Sequence, residues 1–265
     1  MMTDPSQEAR GARSGGTLAG KIAIVTGGNR GIGRAIALRL AREGARLVLA
    51  ARDETALGGT AAEIAVDGGS ATSFAADLRT PEAPAALVQT TLEACGAIDI
   101  IVSSAGATKR GDFLELTEAD WVDGFALKFF GAVRLIRAAW PHLKGRQGSV
   151  LNIIGIGGRT PGAEFTIGGS VNGAFLSFTK ALADVGVRDG VQVNAINPGW
   201  VRTDRLRQTL ERAAAAAEEL VRKGNIVRLG EPEDIANLAA FILSPQGRLF
   251  QGALVDMDGG QTKTL

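Results

Sequence analysis

The sequence predicts a three-layer α/β/α fold built on a doubly wound parallel sheet of about seven strands. Three observations carry this. Short Val/Ile-rich runs alternate with longer Ala/Leu-rich amphipathic stretches. The short runs are apolar nearly without interruption, as expected of strands covered on both faces. A glycine-rich turn separates the first short run from the first helical stretch.

The elements follow in chain order. Candidate strands are 22–26, 46–50, 71–75, 98–103, 149–154, 191–196 and 254–257. Helix-length stretches lie near 31–43, 54–66, 81–95, 118–140, 167–186 and 232–243. Strand, helix, strand in strict succession implies right-handed crossovers and hence a parallel sheet. Thr80-Pro81 places proline at the first position of one helix. Glu231-Pro232-Glu233-Asp234 places acids in the first turn of another. Residues 211–220 (ERAAAAAEEL) read as one exposed helix within an insertion, 203–228, between the sixth strand and the last helix. Residues 1–18 are polar, rich in Gly and Ser, and lack the apolar core of a secretory signal. They read as a disordered tail ahead of a single domain over 19–265.

Composition narrows the function classes. A chain of 265 residues, 45% hydrophobic and 22% charged, suits one large α/β domain with a full core. A net charge of +1 gives no sign of a nucleic-acid or anionic-membrane partner. No apolar run nears the roughly 20 residues that cross a bilayer. Cys95 is the only cysteine, which excludes an internal disulfide and fits a reducing cytoplasm. His142, the only histidine, ends the fourth helical stretch and reads as structural. So few His and Cys leave no metal-ligand set.

The turn reads Thr26-Gly27-Gly28-Asn29-Arg30-Gly31-Ile32-Gly33 and runs straight into a helix. Glycines let the backbone approach a ligand closely, and free N–H groups at a helix start suit a pyrophosphate. The position, between first strand and first helix of an alternating pattern, is that of a Rossmann-type dinucleotide loop. An acid at the tip of the second strand would accept the ribose 2′-hydroxyl of NAD. Here Ala51 stands there, followed by Arg52, with Arg30 nearby in the turn. Two guanidinium groups and no acid favour NADP(H) over NAD(H), which remains possible.

The spacing Thr26, Gly27, Gly31, Gly33 resembles the TGxxxGxG loop of the short-chain dehydrogenase/reductase family. The resemblance runs from about residue 19 to 260. Asp77-Leu78 is similar to the family's adenine-contacting pair after the third strand. Ser103-Ser104-Ala105-Gly106 is similar to its NNAG motif, with both asparagines replaced by serine. Asn197-Pro198-Gly199, Val201 and Thr203 resemble its PG motif and the threonine that holds the nicotinamide carboxamide. Residues 228–236 and 256–260 resemble its C-terminal signatures. The resemblance implies that Thr26, Gly27, Asn29, Arg30, Gly31, Ile32, Gly33, Arg52, Asp77, Leu78, Ser104, Ala105, Gly106, Pro198, Gly199, Val201 and Thr203 bind the cofactor. It also implies a substrate lid over 203–228, and dimers or tetramers formed through the fourth and fifth helices. Phe125, Phe129, Phe130, Phe175 and Phe178 lie on those helices, either at that interface or in the monomer's own core.

Family enzymes interconvert a carbonyl and an alcohol. A tyrosine passes the proton, a lysine lowers that tyrosine's pKa and holds the nicotinamide ribose, a serine orients the substrate, and an asparagine holds a water. This sequence contains no tyrosine. Aligned from Asn152, the serine position falls on Gly155, the tyrosine position on Gly168, the lysine position on Asn172 and the asparagine position on Lys128. Lys128 and Asn172 thus exchange the types expected on the fourth and fifth helices. Lys128 is expected to supply the ammonium and Asn172 the supporting amide. Phe165 is a candidate to fill the space of the missing phenol, and Glu164, Lys128 or a bound water to replace its acid. Lys180 sits in an ordinary helix-surface position. The resulting expectation is an NADP(H)-binding oxidoreductase with atypical catalytic residues, acting on a small carbonyl or alcohol. The alternatives are a catalytically silent dinucleotide-binding sensor or scaffold subunit, and a lyase or isomerase using the same pocket.

Overall fold

A computed structural model describes residues 16–213 and 216–263. The strands are β1 (Ile22–Thr26), β2 (Arg46–Ala51), β3 (Ser70–Ala75), β4 (Ile100–Ser103), β5 (Ser149–Ile153), β6 (Gln192–Pro198) and β7 (Leu254–Met257). They form one sheet in the order β3-β2-β1-β4-β5-β6-β7, and every pairing is parallel. The helices are α1 (Gly31–Arg42), α2 (Glu54–Val66), α3 (Ala83–Cys95), α4 (Glu118–Phe125), α5 (Ala132–Lys144), α6 (Thr166–Asp189), α7 (Asp204–Ala213), α8 (Ala217–Gly224) and α9 (Pro232–Leu243).

Unbroken hydrophobicity in the strands is explained by their two covered faces. Ala23 and Val25 point into a core shared with α1, α2 and α9. Ile24, between them, points into a second core shared with α3, α5 and α6. The period of two along a strand sends neighbours to opposite sides. The chain reverses its direction of sheet growth between β1 and β4, so the C-terminal ends of these two strands open a crevice.

Polar ties close the opposite end of the sheet and the α6 face. The carboxylate of Asp99, 2% exposed, accepts from the Ile22 N–H at 2.9 Å, Lys21 Nζ at 3.3 Å and Arg146 Nε at 2.9 Å. Asn152 Nδ2 donates to Thr179 Oγ1 at 3.0 Å and fixes α6 against β5.

Four sequence expectations need correction. The stretch 118–140 is not one α-helix: a π-helical turn, Ala126–Gly131, joins α4 to α5, which continues to Lys144. Gly131 has only 2.9 Å between a would-be β-carbon and the Leu78 carbonyl, so the chain approaches Leu78 too closely for a side chain there. The third helix begins at Ala83, not Pro81, with Pro84 taking the first-turn place that needs no N–H donor. Residues 211–220 do not form one helix. Helices α7 and α8 are separate because both fold onto one small cluster of Leu206, Ile226 and Leu229 with Leu210, Leu220 and Val221. A straight helix across 204–224 would run about 30 Å and leave it. Finally, the tail expected over 1–18 does not include Leu18. Residues 1–15 lie outside the described residues, but Leu18 is 1% exposed in the core and its N–H bonds to the Glu43 carbonyl.

Candidate active site

The glycine turn sits at the mouth of the β1/β4 crevice. Gly27 donates its N–H to the Ala50 carbonyl at 2.7 Å and has φ +69°. Gly33, in the first turn of α1, lies against it: a β-carbon there would stand 2.2 Å from the Gly27 carbonyl oxygen. Thr26, 3% exposed, accepts from the Ser104 and Ala105 N–H groups at 3.0 and 3.1 Å. The first βα turn is thereby pinned to the segment after β4. No acid lies in the first turn of α1, and Arg30, its N-cap, makes no side-chain cap. The helix start therefore presents backbone donors and a positive dipole end to an anion. Asn29 and Ile32 flank it, half-buried.

The residues expected along the rest of a dinucleotide line the same edge. Arg52 is exposed at the tip of β2. Asp77 accepts from the Arg79 N–H at 3.0 Å and from its guanidinium at 3.2 Å. Burial raises the Asp77 pKa, but Arg79, with Arg52 further off, outweighs this and holds the carboxyl below its ordinary value. Leu78 is 4% exposed beside it. On the far side, Pro198 ends β6, and Gly199 donates to the Met257 carbonyl at 3.1 Å. Val201 bridges to Gly230. Thr203 faces the turn, its Cγ2 lying 3.4 Å from where a Gly31 β-carbon would stand.

The chamber behind these residues has an unusual floor. Lys128 lies on the π-helical turn, and its ammonium donates to the Ile154 carbonyl and, at 2.6 Å, to Asn172 Oδ1. Asn172, 3% exposed, donates in turn toward the Gly155 carbonyl at 3.4 Å. Burial, and secondarily the charge of Arg205, pushes the Lys128 pKa down to about 7 from 10.5. Gly155 has φ +123°, a conformation closed to most side chains. At Gly168 a β-carbon would stand 2.0 Å from the Phe165 ring, so that ring occupies the space a side chain at 168 would use. Glu164 is exposed, as is Lys180 on the outer face of α6. Phe129, Phe175 and Phe178 pack edge to face inside the chain, while Phe130 is 45% exposed.

Two residues of this chamber escaped the sequence reading. Arg110, in the β4–α4 loop, lies with its guanidinium carbon 4.0 Å from the centre of the Phe165 ring. Arg205, in the first turn of α7, donates to the Gly106 carbonyl. No motif marks either residue; the position of Arg205 inside the expected lid was the one available signal. Among the described residues no cluster of His, Cys, Asp or Glu is arranged to hold a metal ion.

Known proteins share both the sequence and this architecture. Residues 27–262 match the family model described as enoyl-(acyl carrier protein) reductase. An uncharacterised oxidoreductase of Mycobacterium tuberculosis is 35% identical over 253 residues, covering 91% of this chain and 92% of its own. The crystal structure of L-sorbose reductase from Gluconobacter frateurii, complexed with NADPH and L-sorbose, superposes with a TM-score of 0.88 at 31% identity, covering 95% of this chain and 99% of that one. A short-chain dehydrogenase from Burkholderia cenocepacia in complex with NADP gives 0.85 at 31% identity, covering 92% and 99%. With the glycine turn, the seven-stranded parallel sheet and these relatives in agreement, the chain belongs to the short-chain dehydrogenase/reductase family.

Proposed function

We propose that this protein is an NADP(H)-dependent oxidoreductase that reduces a small carbonyl compound, with Lys128 as the proton-carrying group. One observation carries the cofactor assignment. A helix start free of acids and side-chain caps, packed so that only glycine fits, opens at the point where the sheet changes direction. Exposed Arg30 and Arg52, with no acid at the tip of β2, suit a 2′-phosphate. The solved relatives described above were crystallised with NADPH and with NADP, which agrees.

The residues divide the work as follows. The turn from Gly27 to Gly33 would hold the pyrophosphate through backbone N–H groups. Asp77 and Leu78 border the adenine end, while Thr203, Val201 and Gly199 border the other. A nicotinamide held there would supply or accept the hydride. Ser104, Ala105 and Gly106 form the wall between that end and Lys128. Asn172 and the Ile154 carbonyl hold the Lys128 ammonium by two hydrogen bonds. A pKa near 7 lets it give a proton to a developing alkoxide at neutral pH. Phe165 excludes water from the volume beside Gly168. Val122 and Phe130, exposed on α4 and the π-helical turn, suit burial against a second copy in a dimer or tetramer.

The test has two parts. Fluorescence titration is expected to show NADPH bound at least about tenfold more tightly than NADH, ~1.4 kcal/mol. Equal dissociation constants overturn the cofactor choice. NADPH oxidation with a carbonyl panel is then followed by absorbance, and Lys128→Met is expected to abolish it. NADPH binding without turnover of any carbonyl overturns the reductase assignment.

A further inference from the structure

Four cationic groups gather around the chamber: Arg30, Arg110, Arg205 and Lys128. Among the described residues none of them forms an ion pair, although many other Lys and Arg side chains of this chain do. Lys109, next to Arg110, is held by Asp120 at 2.9 Å. Arg207, on the same helix as Arg205, is held by Asp204 at 2.9 Å. Arg110 feels the charge of the exposed Glu164, which forms no ion pair with it among the described residues.

Arg205, Lys128 and Arg110 are linked through shared neighbours. A β-carbon at Gly106 would stand 3.0 Å from Lys128 Cδ, while the Gly106 carbonyl accepts from Arg205. Lys128 bonds to Asn172. A β-carbon at Gly157 would meet Asn172 Nδ2 at 3.3 Å and the Phe165 ring at 2.9 Å. Arg110 closes the circuit over that ring. Arg205, Gly106, Lys128, Asn172, Gly157, Phe165 and Arg110 thus form an unbroken line of neighbours. Desolvation, followed by mutual repulsion from Arg30 and Arg110, disfavours the charge on Arg205. Such a set lacks an anion.

The dinucleotide's phosphates account for Arg30, which belongs to the glycine turn. They do not account for Arg110, which lies over Phe165 beyond Gly106. We propose that the substrate carries a carboxylate as well as its carbonyl, and that Arg110 and Arg205 bind this carboxylate beside the Phe165 ring. The proposal rests on the carbonyl-reductase reading above. A guanidinium lying on an aromatic face keeps its in-plane fork of N–H donors free, the geometry that a planar carboxylate meets with two hydrogen bonds. The bound carboxylate also offsets the Arg205 charge felt by Lys128, so the proton donor is charged when substrate is present.

The experiment is calorimetric titration of the protein saturated with NADP+, using pyruvate, 2-oxobutanoate and benzoylformate, each beside its neutral amide. At least one acid is expected to bind tenfold or more tightly than its amide. Arg110→Met and Arg205→Met are each expected to remove that preference, while Arg110→Lys keeps part of it. NADPH affinity should stay within twofold in all three. If every acid binds no better than its amide, or not at all, while NADPH still binds, the carboxylate site is refuted and the cofactor reading stands. If the variants weaken NADPH and leave the preference intact, the arginines serve the cofactor and the proposal falls. Failure of the wild-type protein to bind NADPH removes the reading on which it rests.

Discussion

Gly33→Ala isolates the physical basis of the cofactor site. The added β-carbon would stand 2.2 Å from the Gly27 carbonyl oxygen and 2.7 Å from its carbon. Both are backbone atoms, so no flexible side chain can swing aside. Optimal contact lies near 3.5 Å, so the turn must open by more than about 1 Å. Overpacking of this kind costs ~1–3 kcal/mol, and a domain of this size loses about 2–4 °C of Tm per kcal/mol. The larger effect falls on the ligand. Hydrogen bonds to charged groups contribute ~1.5–3 kcal/mol each, so displacing one or two phosphate donors costs about 3 kcal/mol, near 100-fold in NADPH affinity. The control is Gly59→Ala in α2, where a β-carbon meets nothing within 4 Å. That change is expected to raise stability by ~0.5–1 kcal/mol by relieving the entropic cost of glycine in a helix. The assay is fluorescence titration with NADPH beside thermal denaturation for both variants. If Gly33→Ala binds NADPH within threefold of wild type, close packing of the turn is not what shapes the site.

Other outcomes follow from the same structure. The Lys128 pKa is depressed to about 7 against 10.5, so between these values the unfolded chain holds a proton that the folded chain has released. Unfolding free energy should therefore rise with pH across that window relative to Lys128→Met, and parallel denaturation midpoints at pH 7 and 10 would refute the burial. With Lys128 as proton donor, kcat/KM for reduction should fall above about pH 7; a flat profile to pH 9 would remove it from that role. Asp99→Ala strands the half-buried Ile22 N–H and two half-exposed cations, and is expected to cost about 2–3 kcal/mol in urea unfolding. Phe175→Ala, at a site 1% exposed, should cost ~3–5 kcal/mol by the same measurement.

The alternation of apolar runs with amphipathic stretches determined the layers and the parallel sheet, because both periodicities are local and each element must bury its apolar side. Strand and helix order also placed the glycine turn between the first strand and the first helix, while the strand order of the folded sheet made that place its switch point. The expected exchange of residue types at Lys128 and Asn172 rests only on positions along the chain. Tertiary structure alone decided that their side chains meet at 2.6 Å. Side-chain direction on the fourth helix depends on the π-helical turn, which no residue pattern announces. The break between α7 and α8 was likewise invisible in an alanine-rich stretch, where helix propensity is high and the competing pull comes from packing onto Leu206, Ile226 and Leu229 outside it. Arg110 and Arg205 belong to no motif, and only folding brings one onto Phe165 and the other onto Gly106. Their setting combines segments up to a hundred residues apart, and such proximity is set by packing rather than by the local chemistry of the chain.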